Sequence, residues 1–234
     1  MKADRFMRKS VGILLLVSAL FAAGSCTMQM DDVPDIGFEN IKSAYAIFTA
    51  RQSDSGVVYL QVNDSTRLYP ENMQDEFAGV CRMFGLIRVS GSQFMDYGYR
   101  TVVDWSEPID EGKMQAGFPA SGSGDTIDVL DDWMTSVEDG YLTVHYSTFW
   151  GTDPVGHSFS LVRVGDPGNP YRLRLVHYRN GDAAEVEGDG LICFDLRDLP
   201  ETGGEYVDLV LTWLNGEEKD AERIFRFRSR SDSD

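Results

Sequence analysis

From about residue 43 onward the chain is a succession of short apolar or alternating runs broken by turn residues, and almost no stretch carries a helical period. That rhythm leaves little room for anything but an all-β fold. SAYAIFTARQ (43–52) and GVVYLQVND (56–64) flank SDSG, a hairpin signal, and GVCRMFGLIRVSG (79–91) and YGYRTVVDWSEPI (97–109) follow. These runs predict a small β-barrel over residues 41–118. The stretch 119–125, PASGSGD, has no bulky residue to pack and reads as a linker. Over residues 126–234 seven further runs, spaced by Asp139-Gly140, Asn180-Gly181 and Asn215-Gly216, predict an immunoglobulin-like antiparallel β-sandwich. Alternation puts Leu142, Val144 and Tyr146 on one face and His145 on the other, and Trp133 and Trp213 are expected in the sandwich core.

The N-terminus carries an address. Lys2, Arg5, Arg8 and Lys9 precede the apolar run Val11–Gly24, which is short of the roughly 20 residues a membrane-spanning helix needs. A basic head, a short apolar core and a small-residue exit predict a signal peptide over residues 1–25. Ala23-Gly24-Ser25-Cys26 resembles the lipobox of bacterial lipoproteins, which implies cleavage before Cys26 and acylation of its thiol. Two or three acyl chains anchor firmly where one does not. Residues 26–40 then form a polar tether, and Asp31-Asp32 resembles the surface-export signal of some anaerobic Gram-negative bacteria. The expected location is the bacterial outer membrane, facing the periplasm or the cell surface.

Charge narrows the partners. The chain has 21 Lys+Arg against 38 Asp+Glu, a formal net charge of −17, and residues 1–25 hold four of the basic residues and one of the acidic ones. Such a field repels phosphate backbones and excludes nucleic acid as a partner, while it favours divalent cations and basic partners. Dispersed charges and 42% hydrophobic residues mark a globular chain. Apart from Cys26, only Cys81 and Cys193 remain, both in apolar runs and both expected as buried free thiols, with a disulfide as the alternative.

The second half resembles the NigD-like lipoproteins of gut and oral anaerobes. The resemblance rests on Trp133 ahead of Gly140-Tyr141-Leu142, a histidine-containing strand from His157 to Val162, His177 with Asn180-Gly181-Asp182, and Phe194-Asp195-Leu196. It implies an N-terminal OB-like barrel before a C-terminal β-sandwich. It brings no catalytic residues, and through the family's name it raises a bacteriocin-associated immunity or protection role.

Motifs of chemistry are sparse. In GHSFS (156–160) Ser158 lacks the glycine of a nucleophile elbow two residues later, and alternation turns His157 and Ser158 to opposite faces. His145, His157 and His177 lie on successive runs, and their convergence on zinc would need a register the pattern does not supply. Asp182, Glu185, Glu187 and Asp189 gather oxygen ligands in one acidic stretch, enough for weak calcium binding or, in a remoter reading, a divalent-metal-dependent hydrolase. Tyr97, Tyr99, Trp105 and Trp150 fall near turns and strand ends and are candidates for stacking on a ligand. The expected function is a non-enzymatic binding or accessory module for protein or glycan, needing no cofactor.

Overall fold

The computed structural model describes residues 43–74, 77–94, 98–117, 124–166 and 168–230, and every regular element among them is a β-strand. The expected signal peptide, Cys26, the tether, Tyr97 and most of 119–125 lie outside the described residues. Five strands form the N-terminal body: β1 (Ala44–Gln52), β2 (Val58–Gln61), β3 (Arg67–Pro70), β4 (Cys81–Phe94) and β5 (Gly98–Pro108). They close into a barrel in the order β1-β2-β3-β5-β4, with β3 and β5 parallel and the other neighbours antiparallel. Phe48, Ala50, Leu60, Leu68, Ile87 and Val103 point inward and are buried, as strand alternation dictates. A bulge in the pairing of β4 with β5 leaves Asp104 unpaired between Trp105 and Val103, so both neighbours keep their proper faces.

The C-terminal body is built from β6 (Asp110–Glu111), β7 (Lys113–Gln115), β8 (Asp128–Val129), β9 (Ser136–Glu138), β10 (Tyr141–Trp150), β11 (Ser158–Arg163), β12 (Arg172–Tyr178), β13 (Val186–Asp195), β14 (Val207–Leu214) and β15 (Asp220–Phe227). One sheet runs β6-β13-β10-β8, with β9 also on β10, and the other runs β15-β14-β12-β11-β7. Between them lie Leu142, Val144, Leu161, Leu173, Phe194, Leu209, Leu211 and Trp213. Burial of each such side chain stabilises by about 1.5–3 kcal/mol relative to exposure. The expected antiparallel sandwich thus forms, with three parallel pairs added: β6 with β13, β7 with β11 and β12 with β14. β6 and β7 precede the Gly/Ser stretch, so the sandwich takes its first strands from the barrel side of the expected 119–125 linker.

Barrel and sandwich belong to one compact unit. Their seam buries Ile47, Ile109, Tyr141 and Cys193, with Phe84, Met134 and Leu191 packed against them. Arg82 on β4 is buried there and donates from Nη1 to Thr49 Oγ1 at 3.0 Å and from Nε to Thr143 Oγ1 at 3.3 Å across the seam. Asp139, in the β9–β10 turn with φ 53°, accepts from Arg51 Nε of the barrel at 3.0 Å and pairs with Arg230. Cys81 and Cys193 are free thiols.

Candidate functional site

The outer wall of the barrel carries apolar side chains where a solvated face would carry polar ones. Register aligns Tyr45, Leu86 and Trp105 in one row across β1, β4 and β5, and Ile47, Phe84 and Glu107 in the next. The seam covers Ile47, but Tyr45 is 40% and Trp105 36% exposed. Trp133, from the segment between β8 and β9, is 55% exposed and meets the same cluster. Tyr45 stacks on Phe84 at 5.7 Å between ring centroids and 15° between planes. Trp105 stands edge-on to both, at 62° to Tyr45 and 77° to Phe84, and Trp133 lies 6.4 Å from Phe84 at 40°. Four rings thus form a faceted platform beside the seam.

The Trp133 segment is held from behind. Asp132 Oδ1 accepts from the Met134 amide at 3.0 Å, and Asp132 Oδ2 sits 2.6 Å from His145 Nδ1. The other ring nitrogen of His145 lies 3.0 Å from Asp189 Oδ2. Thr135 Oγ1 donates to the Leu130 carbonyl and accepts from the His145 amide. Burial alone would push the His145 imidazole down, but its two carboxylate partners outweigh that and raise it to about 9. At neutral pH the ring is an imidazolium that donates to a carboxylate on each side.

Of the expected stacking residues, Trp105 is on the platform. Tyr99 packs against the barrel core, and Trp150 lies face to face with His157 at 3.8 Å, partly buried in the sandwich. Trp133, expected in the core with Trp213, is on the surface instead: the segment 126–140 forms only the short β8 and β9, leaving the intervening turn outside the sheet. Tyr45 and Phe84 escaped the sequence reading. The signal for Tyr45 was the unbroken apolar run AYAIF (44–48), which covers both faces of β1 where alternation predicts one.

The three histidines do not converge. His177 Nδ1 donates to the Thr126 carbonyl at 3.1 Å, its Nε2 lies 2.9 Å from His157 Nδ1, and His157 Nε2 lies 3.2 Å from Asp182 Oδ2, while His145 keeps its own partners. Burial pushes both members of the pair down, His177 to about 4. Ser158 Oγ bonds Asn180, away from His157. The acidic stretch is dispersed too, because β13 starts at Val186 and takes Glu187 and Asp189 into a ladder. Asp182 accepts from the Gly151 and Ala183 amides, Glu185 from the Thr152 amide and Glu187 from Ser147 Oγ. Among the described residues no three His, Cys, Asp or Glu side chains are grouped to hold a metal ion. An open cleft of about 670 Å³, lined by Gln115, Tyr146, Ser158, Phe159 and Asn180 among others, lies along β7 and β11 and includes none of the platform rings.

Residues 113–227 match the model of the NigD-like C-terminal β-sandwich domain. The chain belongs to the NigD-like family. Solved structures share the two-body fold over most of their length. A protein of Parabacteroides distasonis provisionally classed as toxin-related is 23% identical, with a TM-score of 0.66 over 80% of this chain and 94% of that one. A NigD-like immunity protein of Bacteroides caccae is 12% identical, with a TM-score of 0.57 over 80% and 98%. A protein of Bacteroides fragilis provisionally classed as a lipoprotein is 11% identical, with a TM-score of 0.54 over 82% and 100%. At such identities the likeness speaks for the NigD-like fold alone. No curated protein sequence matches the chain.

Proposed function

We propose that this NigD-like chain is a lipid-anchored accessory protein of the bacterial envelope that works by binding, without chemistry of its own. The observation that carries the reading is the platform: exposed Tyr45, Trp105 and Trp133 surround a half-buried Phe84 on a strongly acidic protein. Contiguous exposed apolar surface of this kind marks interaction sites. The Ala23–Cys26 lipobox supports the anchor, and the lipoprotein classification of the Bacteroides fragilis relative points the same way. Glycan and peptide arrays probed with the full-length chain and with a Trp105→Ala, Trp133→Ala double variant test the contact surface. Signals that vanish in the variant support it, and identical profiles overturn it.

The immunity-protein name of the Bacteroides caccae relative favours a second reading, protection against a bacteriocin. Deleting the gene would then sensitise cells to a bacteriocin, and unchanged sensitivity across a bacteriocin panel would end that reading.

A further inference from the structure

The shape and charge of the platform narrow its ligand, on the premise that it is a binding surface. A pyranose stacks best on rings that lie flat beside one another. Here Trp105 rises at 62° and 77° from the stacked pair Tyr45 and Phe84, and Trp133 tilts by 40°, so the rings form a corner. Ring faces set at angles to one another offer their negative faces to a cation. Elsewhere the chain fills such positions itself: Arg67 lies over Tyr59, and Arg226 and Arg228 lie over Tyr206 at 4.9 and 4.8 Å. Among the described residues none of the chain's own cations lies over the four platform rings.

The carboxylates around the corner divide unequally. Asp104 is taken by Arg88 in a two-pronged pair, Asp131 by Arg223 and Asp132 by His145. Glu107 is exposed, stands opposite Phe84 in the ladder and shares a face with Trp105, and among the described residues it has no partner. Among the described residues, one uncommitted anion therefore borders an aromatic corner that no cation fills, on a protein of net charge −17.

We propose that this corner receives a lysine or arginine side chain from a basic, apolar polypeptide segment. The rings hold the cation and its aliphatic stem, Glu107 provides the counter-charge, and the field of the whole protein draws the segment in.

The test is calorimetric titration of the full-length chain with a lysine–leucine peptide, its glutamate–leucine counterpart and maltohexaose. The lysine peptide should bind and the glutamate peptide should not. Trp133→Ala and Trp105→Ala should each weaken it about tenfold and Glu107→Gln about threefold. Binding should also weaken between about 0.1 M and about 1 M salt, as the Debye length falls from about 10 Å to about 3 Å. Equal binding of both peptides, lysine-peptide binding that survives both tryptophan substitutions, or a Glu107→Gln variant as tight as the parent would each overturn the inference. Tryptophan-dependent binding of maltohexaose alone would overturn it while leaving the platform a binding surface. No tryptophan-dependent signal from any of these probes or on the arrays would remove the surface itself.

Discussion

His145 shows how much a single side chain can decide. Its ring donates to Asp132 and Asp189 at once only while both nitrogens carry protons. Its pKa in the folded protein, about 9, stands above the ordinary 6.5, so its stabilisation is complete below about pH 6.5 and is lost as pH rises through about 9. A shift of this size corresponds to at most about 3 kcal/mol. Asp132 works in the opposite sense. Burial would raise its carboxyl, but the bonds from His145 and from the Met134 and Thr135 amides keep it below the usual range, and its contribution fades as pH falls into that range. Urea midpoints should therefore drop between about pH 6 and about pH 10 in the parent and change much less in His145→Gln. The sequence placed His145 off the core face correctly, by alternation alone. Its two aspartates were hidden, since Asp132 lies 13 residues away and Asp189 44 residues away. The turns Asp139-Gly140 and Asn180-Gly181 adopt the positive φ values their residues favour, whereas at Asn215-Gly216 the positive φ falls on Glu218 and Asn215 caps the turn by accepting from the Glu217 and Lys219 amides.

At the scale of elements, strands with clear alternation were readable, whereas the polar first half of β13 and the shortest strands were not. β10, β12 and β14 match their runs because seven to ten residues give alternation time to show. β6 and β7, two and three residues long, carry no period, and only the parallel pairing with β13 and β11 reveals them. Between them Gly112 donates its amide to the Cys193 carbonyl, and a Cβ there would overlap the ring of Phe194, which is fully buried and cannot yield. Gly112→Ala should cost about 2–3 kcal/mol in equilibrium unfolding, and a smaller side chain at position 194 should recover part of it. Gly190 obeys the same logic, since a Cβ there would come within 2.8 Å of Tyr146 Oη. Gly188 and Gly190, within the acidic stretch of the sequence, are the space β13 leaves for Trp150 and Tyr146 of β10.

Taken as a whole, the molecule is two β bodies joined by charge and by apolar contact, and Asp139 is the clearest test of that joint. Its carboxylate is buried between Arg51 of the barrel and Arg230 near the C-terminus. Asn would keep the shape and tolerate the positive φ, so Asp139→Asn isolates the charge. It should cost about 3 kcal/mol, the usual penalty for leaving buried cations without their anion. Unfolding followed separately by tryptophan fluorescence and far-ultraviolet dichroism should give coincident curves in the parent and diverging ones in the variant. The order of the two bodies was apparent from the succession of runs. The joint was not, because it forms from outward positions such as Ile47 and Arg82 that alternation assigns to solvent. Cys193, also buried in the joint, carries a thiol that burial pushes up to about 12, so a maleimide reaches it as thiolate only when the two bodies part. The rate at which that cysteine is alkylated is therefore a clock for how often the barrel lifts from the sandwich.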